Sequence, residues 1–111
     1  MHEPVLSVKF FSTRTGNEPV REFLRALPPE DRKTIGTDIK EVQLGWPLGM
    51  PLVRKLENGL WEIRSHLENR IARILFTLRE NEMVLLHGLI KKSQKTPTPD
   101  LDTAKTRKRL L

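Results

Sequence analysis

The sequence predicts an α+β fold in which two N-terminal helices pack on one face of a small, mainly antiparallel sheet, in the order β-α-α-β-β-β. Two observations carry this prediction. Apolar residues recur with a helical period between residues 17 and 46 and with a period of two from residue 53 onwards. The later segments are separated by LEN and RENE, which are too short to cross over between parallel strands. With 111 residues, the chain fits a single domain spanning residues 1–111.

The first strand and first helix follow from residues 6–27. LSVKFFS, residues 6–12, is rich in β-forming residues and predicts a strand. Asn17 is expected to be the N-cap of the first helix, with Glu18 and Pro19 in its first turn. The apolar stripe of this helix has the spacing i, i+3, i+4, i+7 and consists of Val20, Phe23, Leu24 and Leu27.

The second helix is expected to begin at PPEDRK, because proline is tolerated in a first turn and Glu30 and Asp31 favour the positive end of a helix. Gly45 and Pro47 end it. Its predicted buried face consists of Ile35, Ile39, Val42 and Trp46.

Four β segments follow the loop GWPLGMP. A short strand at 53–56 is expected to turn through Glu57, Asn58 and Gly59 into a strand at 60–65, and ENRIARILFTLREN and EMVLLHGLIKK give the next two segments. LDTAKTRKRLL, residues 101–111, fits either a short final helix capped by Asp100 or Asp102 or a disordered tail.

The composition excludes several kinds of active site. The chain has no cysteine, and its three histidines, His2, His66 and His87, fall at no metal-ligand spacing, so we expect neither a metal nor another cofactor. It has no tyrosine either. No secretory leader and no apolar stretch of membrane-spanning length is present, which makes a soluble cytoplasmic protein without a membrane partner the expectation.

The positive charge is concentrated at the C-terminal end. The formal net charge is +6, of which residues 91–111 contribute +5. Such a concentration suits phosphate, an acidic partner protein or an anionic membrane surface, and does not choose among them. A solvated basic tail is the simpler alternative for residues 105–109.

Strand alternation places four basic or titratable side chains on one face of the predicted sheet. If Ile63, Ile74 and Ile90 pack under the helices, together with Val84, Leu86 and Gly88, the opposite face is expected to be partly open. That face would carry Arg64, Arg73, His87 and Lys91. Arginine grips phosphate oxygens with two parallel hydrogen bonds, and lysine adds a point charge, so the set suits a phosphodiester.

Most of these residues also have a structural interpretation. Arg73 is harder to explain in this way, because charged residues are seldom placed in central strands without a partner. Arg64 can pair at the surface with Glu62 or Glu68, and His87 can be a residue hydrogen-bonded between strands. Gly88 indicates a bulge or a close approach of the backbone. The three lysines after the last strand, Lys91, Lys92 and Lys95, also fit a solvated strand end.

Three segments carry a family resemblance. LWEIR, RIARILF and LLHGLIKKSQKTP, followed by a helix containing Ala104, resemble the phage-derived Gp49-like, HigB-type proteins of the RelE/ParE toxin superfamily. The resemblance covers residues 5–111. It implies a toxin of a type II toxin–antitoxin system and a metal-independent endoribonuclease that cleaves mRNA on the ribosome and inhibits translation. It also implies an antitoxin partner of the helix-turn-helix, HigA-like kind.

The resemblance also implies roles for individual residues. Arg73 stands where the superfamily keeps an arginine that stabilises the transition-state phosphate, and Lys92 or His87 would move protons. Arg64, Lys91 and Lys95 would bind the RNA backbone. Because many RelE members use a C-terminal tyrosine that this chain lacks, two alternatives stay open. One is a ParE-like inhibitor of DNA gyrase, and the other is a non-catalytic module that binds an antitoxin or nucleic acid.

Overall fold

A computed structural model describes residues 5–111 of the chain, so His2 lies outside the described residues. The elements, in chain order, are β1 Ser7–Phe10, α1 Pro19–Arg25, α2 Pro29–Gly45, β2 Val53–Glu57, β3 Leu60–Leu67, β4 Arg70–Arg79, β5 Glu82–Lys91 and α3 Thr98–Arg109.

The strands form one five-stranded sheet in the order β1-β5-β4-β3-β2. From β2 to β5 each strand pairs antiparallel with the next, whereas β1 pairs parallel with β5 at the edge. The predicted antiparallel meander is therefore confirmed, and β2 is a strand in its own right. Gly59, which has a φ of +78°, allows the tight turn between β2 and β3.

Helices α1 and α2 both begin at a proline, as predicted, and α1 ends at Arg25. Pro19 is in the first turn of α1 and Pro29 is in that of α2. The expected N-cap at Asn17 is wrong: Glu18 occupies that position, and it makes no capping hydrogen bond through its side chain. The α2 helix ends at Gly45.

One hydrophobic core lies between these two helices and the sheet. Ile35, Ile39 and Val42 of α2 are buried there, which confirms the predicted face. Trp46 packs against this core, with its ring centroid 5.3 Å from that of Trp61 in an edge-to-face arrangement. The strand side chains of this core are Val53, Ile63, Ala72, Ile74, Phe76, Met83 and Leu85.

A second core lies on the opposite face, under α3. The C-terminal segment is thus a helix, and its N-cap is Pro97 rather than Asp100 or Asp102. Ala104 is fully buried and Leu101 is partly buried against the sheet. The strand and loop residues of this core are Phe11, Leu60, Leu75, Val84, Leu86 and Leu89. The expectation of a partly open second face is therefore wrong, because α3 covers it.

A β-bulge in β5 explains why strand alternation failed there. Leu75 pairs with His87 and Phe76 pairs with Leu85, so Leu86 is an extra residue without a partner on β4. Val84 and Leu86 consequently pack on the α3 side, not under α1 and α2 as expected. Gly88 and Ile90, beyond the bulge, lie on the α1 and α2 side as predicted.

Candidate functional site

Two arginines and a glutamate lie side by side on the face of the sheet opposite α1 and α2. Arg64 on β3 pairs directly with Arg73 on β4 in the strand register. Glu62 precedes Arg64 by two residues on the same strand and therefore points to the same side. Arg73 and Glu62 have no exposed surface, and Arg64 is 4% exposed. The three charged groups thus form a buried cluster inside the fold.

Residues 93–96, which we call the strap, cross over this cluster between β5 and α3. Arg73 donates from Nη1 to the carbonyl oxygen of Lys95 at 3.0 Å and from Nη2 to that of Ser93. Arg64 donates from Nη1 to the carbonyl of Gln94 at 3.2 Å and from Nη2 to Oε1 of the same residue at 2.7 Å. The two guanidinium groups therefore hold the strap through its oxygen atoms.

Glu62 joins the arginines to the far end of the strap. Its Oε1 accepts a hydrogen bond from Arg64 Nη1 at 3.1 Å, and its Oε2 accepts one from the hydroxyl of Thr96. Thr96 is itself buried. One carboxylate thus neutralises one of two buried guanidinium groups, which leaves a positive excess.

Arg73 bears most of that excess. Burial lowers the pKa of its guanidinium, Glu62 opposes this effect, and the positive charges of Arg64 and Arg54 lower the pKa further. Its Nε atom is buried and has no hydrogen-bond partner among the residues that the structure describes. Arg73 therefore sits in a position where an additional negative charge would be favourable.

Exposed cations surround the strap. Lys91 ends β5, and Lys92 and Lys95 flank the strap or belong to it; all three are exposed. Arg54 on β2 is also exposed and donates from Nη1 to the carbonyl of Gln94 at 3.4 Å. We call these four residues together with Arg64 and Arg73 the cationic cluster. Its basic groups come from β2, β3, β4, the end of β5 and the strap.

His87 lies apart from the arginines, under α3. Its Nε2 is 2.7 Å from Asp100 Oδ1, and its Nδ1 is 3.3 Å from Arg107 Nη1. Arg107 also donates to the carbonyl of Leu86 at 2.8 Å, and burial lowers the pKa of its guanidinium. Both ring nitrogens of His87 are thus engaged in holding α3 to the sheet.

The structure brings together five of the six residues that the sequence indicated. Arg64, Arg73, Lys91, Lys92 and Lys95 lie around the strap, whereas His87 does not. The expectation that Arg64, Arg73 and His87 lie on an open face is wrong. The strap covers the two arginines, and α3 covers His87.

Sequence reasoning missed three members of the site. Glu62 is one of the two carboxylates expected to pair with Arg64 at the surface; the pair forms, but it is buried inside the site. Gln94 and Thr96 are the other two members, and the sequence predicts no role for either. The available signal is the KSQKT sequence directly after β5, the strand that pairs with the Arg73 strand β4.

Residues 5–111 contain neither a cluster of metal-binding side chains nor a helix that could span a membrane. No group of three or more histidine or carboxylate side chains within this range could hold a metal ion. Among the helices described there, none has both the length and the apolar character needed to cross a membrane.

Comparison with known proteins identifies one family. The sequence model of the family described as phage-derived protein Gp49-like (DUF891) matches residues 22–109, from within α1 to the end of α3. The matched region includes every residue of the cationic cluster. A comparison with curated proteins found no match.

Proposed function

The chain belongs to the phage-derived Gp49-like family, and on that basis we propose that it is the toxin of a type II toxin–antitoxin system and a ribosome-dependent mRNA endoribonuclease. The family is toxin-like, which accounts for the general part of the proposal. The choice of RNA as the target rests on the chemistry of the cationic cluster.

The observation that supports RNA most strongly is the arrangement of charge around the strap. Arg54, Lys92 and Lys95 are exposed around the strap, and two arginines are buried beneath it. The carboxylate of Glu62 is bonded to one of these arginines. A polynucleotide backbone presents a regular series of phosphates, and clustered lysine and arginine side chains neutralise them. A surface of this kind suits a single RNA strand.

The proposed reaction uses the RNA's own 2′-OH as the nucleophile. The 2′ oxygen attacks the adjacent phosphorus while a water molecule accepts its proton, and a 2′,3′-cyclic phosphate forms. The bond from phosphorus to the 5′ oxygen of the next nucleotide breaks, and a general acid supplies the proton with which that oxygen leaves. Cations near the phosphorus stabilise the developing charge. Because the nucleophile belongs to the substrate, no metal-bound water is required.

We assign roles within the cluster from exposure and charge. Lys92, an exposed ammonium, donates the proton to the leaving oxygen, and Arg73 stabilises the transition-state phosphate from beneath. Arg64, Lys91 and Lys95 bind phosphates of the RNA backbone, Arg64 from its place beside Arg73. His87 is the less suitable proton carrier, because both of its nitrogens are bonded under α3.

Two partners follow from this proposal. An antitoxin of the helix-turn-helix, HigA-like kind would silence the toxin, and the ribosome would present the message. The charge of the chain favours both, since ribosomal RNA and an acidic antitoxin segment are each attracted to a net charge of +6.

Inducible expression followed by mapping of mRNA 5′ ends tests the proposal. The wild-type protein is expected to arrest growth and to produce new 5′ ends within translated codons. Lys92→Ala should lose both effects. Lys55→Ala is the matched control, because Lys55 is also exposed but pairs with Trp61 on the face opposite the cluster.

Three outcomes separate the alternatives. Growth arrest with altered DNA supercoiling and no new mRNA ends would replace the proposal with gyrase inhibition. The absence of growth arrest from the soluble, folded wild-type protein would indicate a non-catalytic module. Equal toxicity of Lys92→Ala and the wild type would overturn the assignment of Lys92 while leaving the family intact.

A further inference from the structure

The buried arginine pair holds more positive charge than its surroundings neutralise. Two guanidinium groups face one carboxylate, that of Glu62, which is bonded to Arg64. The described hydrogen bonds of Arg73 go to two backbone carbonyls, which are neutral, and its Nε has no partner within residues 5–111. Burying a charge without an opposite charge is unfavourable, so the site is suited to an anion.

The strap supplies oxygen atoms where a phosphate would supply them. The carbonyl oxygens of Ser93 and Lys95 accept from Arg73, and two oxygens of Gln94 accept from Arg64. Guanidinium groups bind the oxygens of a phosphate through the same kind of paired N–H donors. The strap thus occupies the donors that a phosphate group would use.

We propose that the strap is an internal competitor for the phosphate group that Arg64 and Arg73 bind, and that a polynucleotide phosphate displaces it. The identity of the anion as an RNA phosphodiester rests on the proposed function. Displacement exchanges neutral carbonyl acceptors for a charged one, and it gives Arg73 Nε an acceptor.

The first three residues of the strap can move without its last residue. Ser93, Gln94 and Lys95 are exposed and are held from beneath by the arginines. Thr96 is buried and bonded to Glu62, so it anchors the segment just before α3 begins. Displacing three residues therefore leaves β5 and α3 in place.

This competition selects for a polyanion over a single phosphate. A free phosphate must displace the strap with only the contacts that it makes to Arg64 and Arg73. A polynucleotide gains additional contacts with Arg54 and Lys92 at neighbouring phosphates, which offset the loss of the strap contacts. The strap therefore favours longer substrates.

Substitutions at Gln94 test the competition, because this side chain is exposed and belongs to the strap rather than to its anchor. Gln94→Met has a similar shape but no side-chain acceptor for Arg64, which keeps its bond to the backbone carbonyl of residue 94. Gln94→Glu replaces a neutral acceptor with a charged one. Asn81→Asp, in the turn before β5 and at the opposite end of that strand, is the control for added negative charge.

Binding is measured by isothermal titration calorimetry with two probes. One is a short uridine oligonucleotide with 2′-O-methyl groups, which cannot be cleaved by its 2′ oxygen, and the other is inorganic phosphate. Gln94→Met should bind the oligonucleotide about fivefold more tightly than the wild type, because a hydrogen bond to a charged group no longer competes. Gln94→Glu should bind it more weakly than Asn81→Asp does.

A thermal unfolding curve shows whether each variant is folded at the temperature of the titration. Unchanged or weaker oligonucleotide binding by folded Gln94→Met would overturn the competition. So would wild-type binding of inorganic phosphate as tightly as the oligonucleotide. Because this assay requires no cleavage, a protein that cuts no mRNA in cells but shows the expected order of affinities would refute only the proposed function.

Discussion

Arg64 and Arg73 lie directly opposite each other across β3 and β4, and both are buried. Like charges at opposed positions of a sheet repel each other. Here Glu62 and the oxygens of the strap hold the two guanidinium groups in place. The pair therefore couples the centre of the sheet to the segment that carries the exposed lysines.

Glu62→Gln should destabilise the protein strongly. The amide keeps the size of the side chain but removes the negative charge that faces two buried guanidinium groups. Breaking a buried ion pair on one side costs about 3–5 kcal/mol, so the free energy of unfolding should fall by about 3 kcal/mol. Urea unfolding followed by the fluorescence of Trp46 and Trp61 measures this change.

Glu68→Gln is the matched control, since Glu68 is exposed in the turn between β3 and β4. A surface carboxylate contributes little, and its loss should change the free energy of unfolding by less than about 0.5 kcal/mol. If both variants lost the same small amount, Glu62 would not be holding the arginine pair.

Arg107→Ala should loosen α3. The Arg107 guanidinium donates to the carbonyl of Leu86, the extra residue of the bulge, whose position has no partner on β4. Leaving that carbonyl without its donor should cost about 1 kcal/mol. Amide hydrogen exchange in α3 should then be faster than in the wild type.

Arg109→Ala provides the comparison, because Arg109 is exposed and, in the described part of the chain, its guanidinium bonds to Thr106 of the same helix and to no other residue. Exchange in α3 should be unchanged in this variant. If amide exchange in α3 were accelerated equally in both variants, the cause would be the lost positive charge on the helix, not the lost hydrogen bond to Leu86.

Gly88→Ala should destabilise the interface between β5 and α1. A Cβ atom at this position would lie 2.6 Å from the ring of Phe23, so the ring or the strand would have to move. Overpacking of this kind costs about 1–3 kcal/mol. Combining Gly88→Ala with Phe23→Leu should restore part of the loss in a thermal unfolding experiment.

Replacing a second glycine, Gly36, by alanine should stabilise the protein. Gly36 lies inside α2, and no atom is within 4 Å of the place where its Cβ would be. Gly36→Ala should therefore stabilise the protein by about 0.5–1 kcal/mol. If both glycine variants were destabilised equally, close packing against Phe23 would not explain Gly88.

Much of the fold could be predicted because its elements depend on local signals. Prolines and a glycine mark the ends of α2, and the spacing of Ile35, Ile39 and Val42 identifies its buried face. The position of the bulge at Leu86, in contrast, could not be predicted from local signals. A single extra residue reverses the alternation of a strand, and nothing in a run of leucines indicates which residue it is.

The site could be predicted only in part. A charged residue in a central strand marked Arg73 as unusual, and the lysines after β5 marked the neighbouring surface. The partners of Arg73 are backbone carbonyls of Ser93 and Lys95, and every residue has such a group. Sequence therefore identifies the donors of this site but not the segment that accepts from them.

Cleavage of a labelled message on purified translating ribosomes tests the central claim most directly. We predict upstream fragments whose 3′ end is a 2′,3′-cyclic phosphate and downstream fragments that begin with a 5′-OH, produced at similar rates by the wild type and Lys55→Ala, and about a hundredfold more slowly by Lys92→Ala. Intact message after incubation with the folded wild-type protein, or products without the cyclic phosphate, would contradict the account.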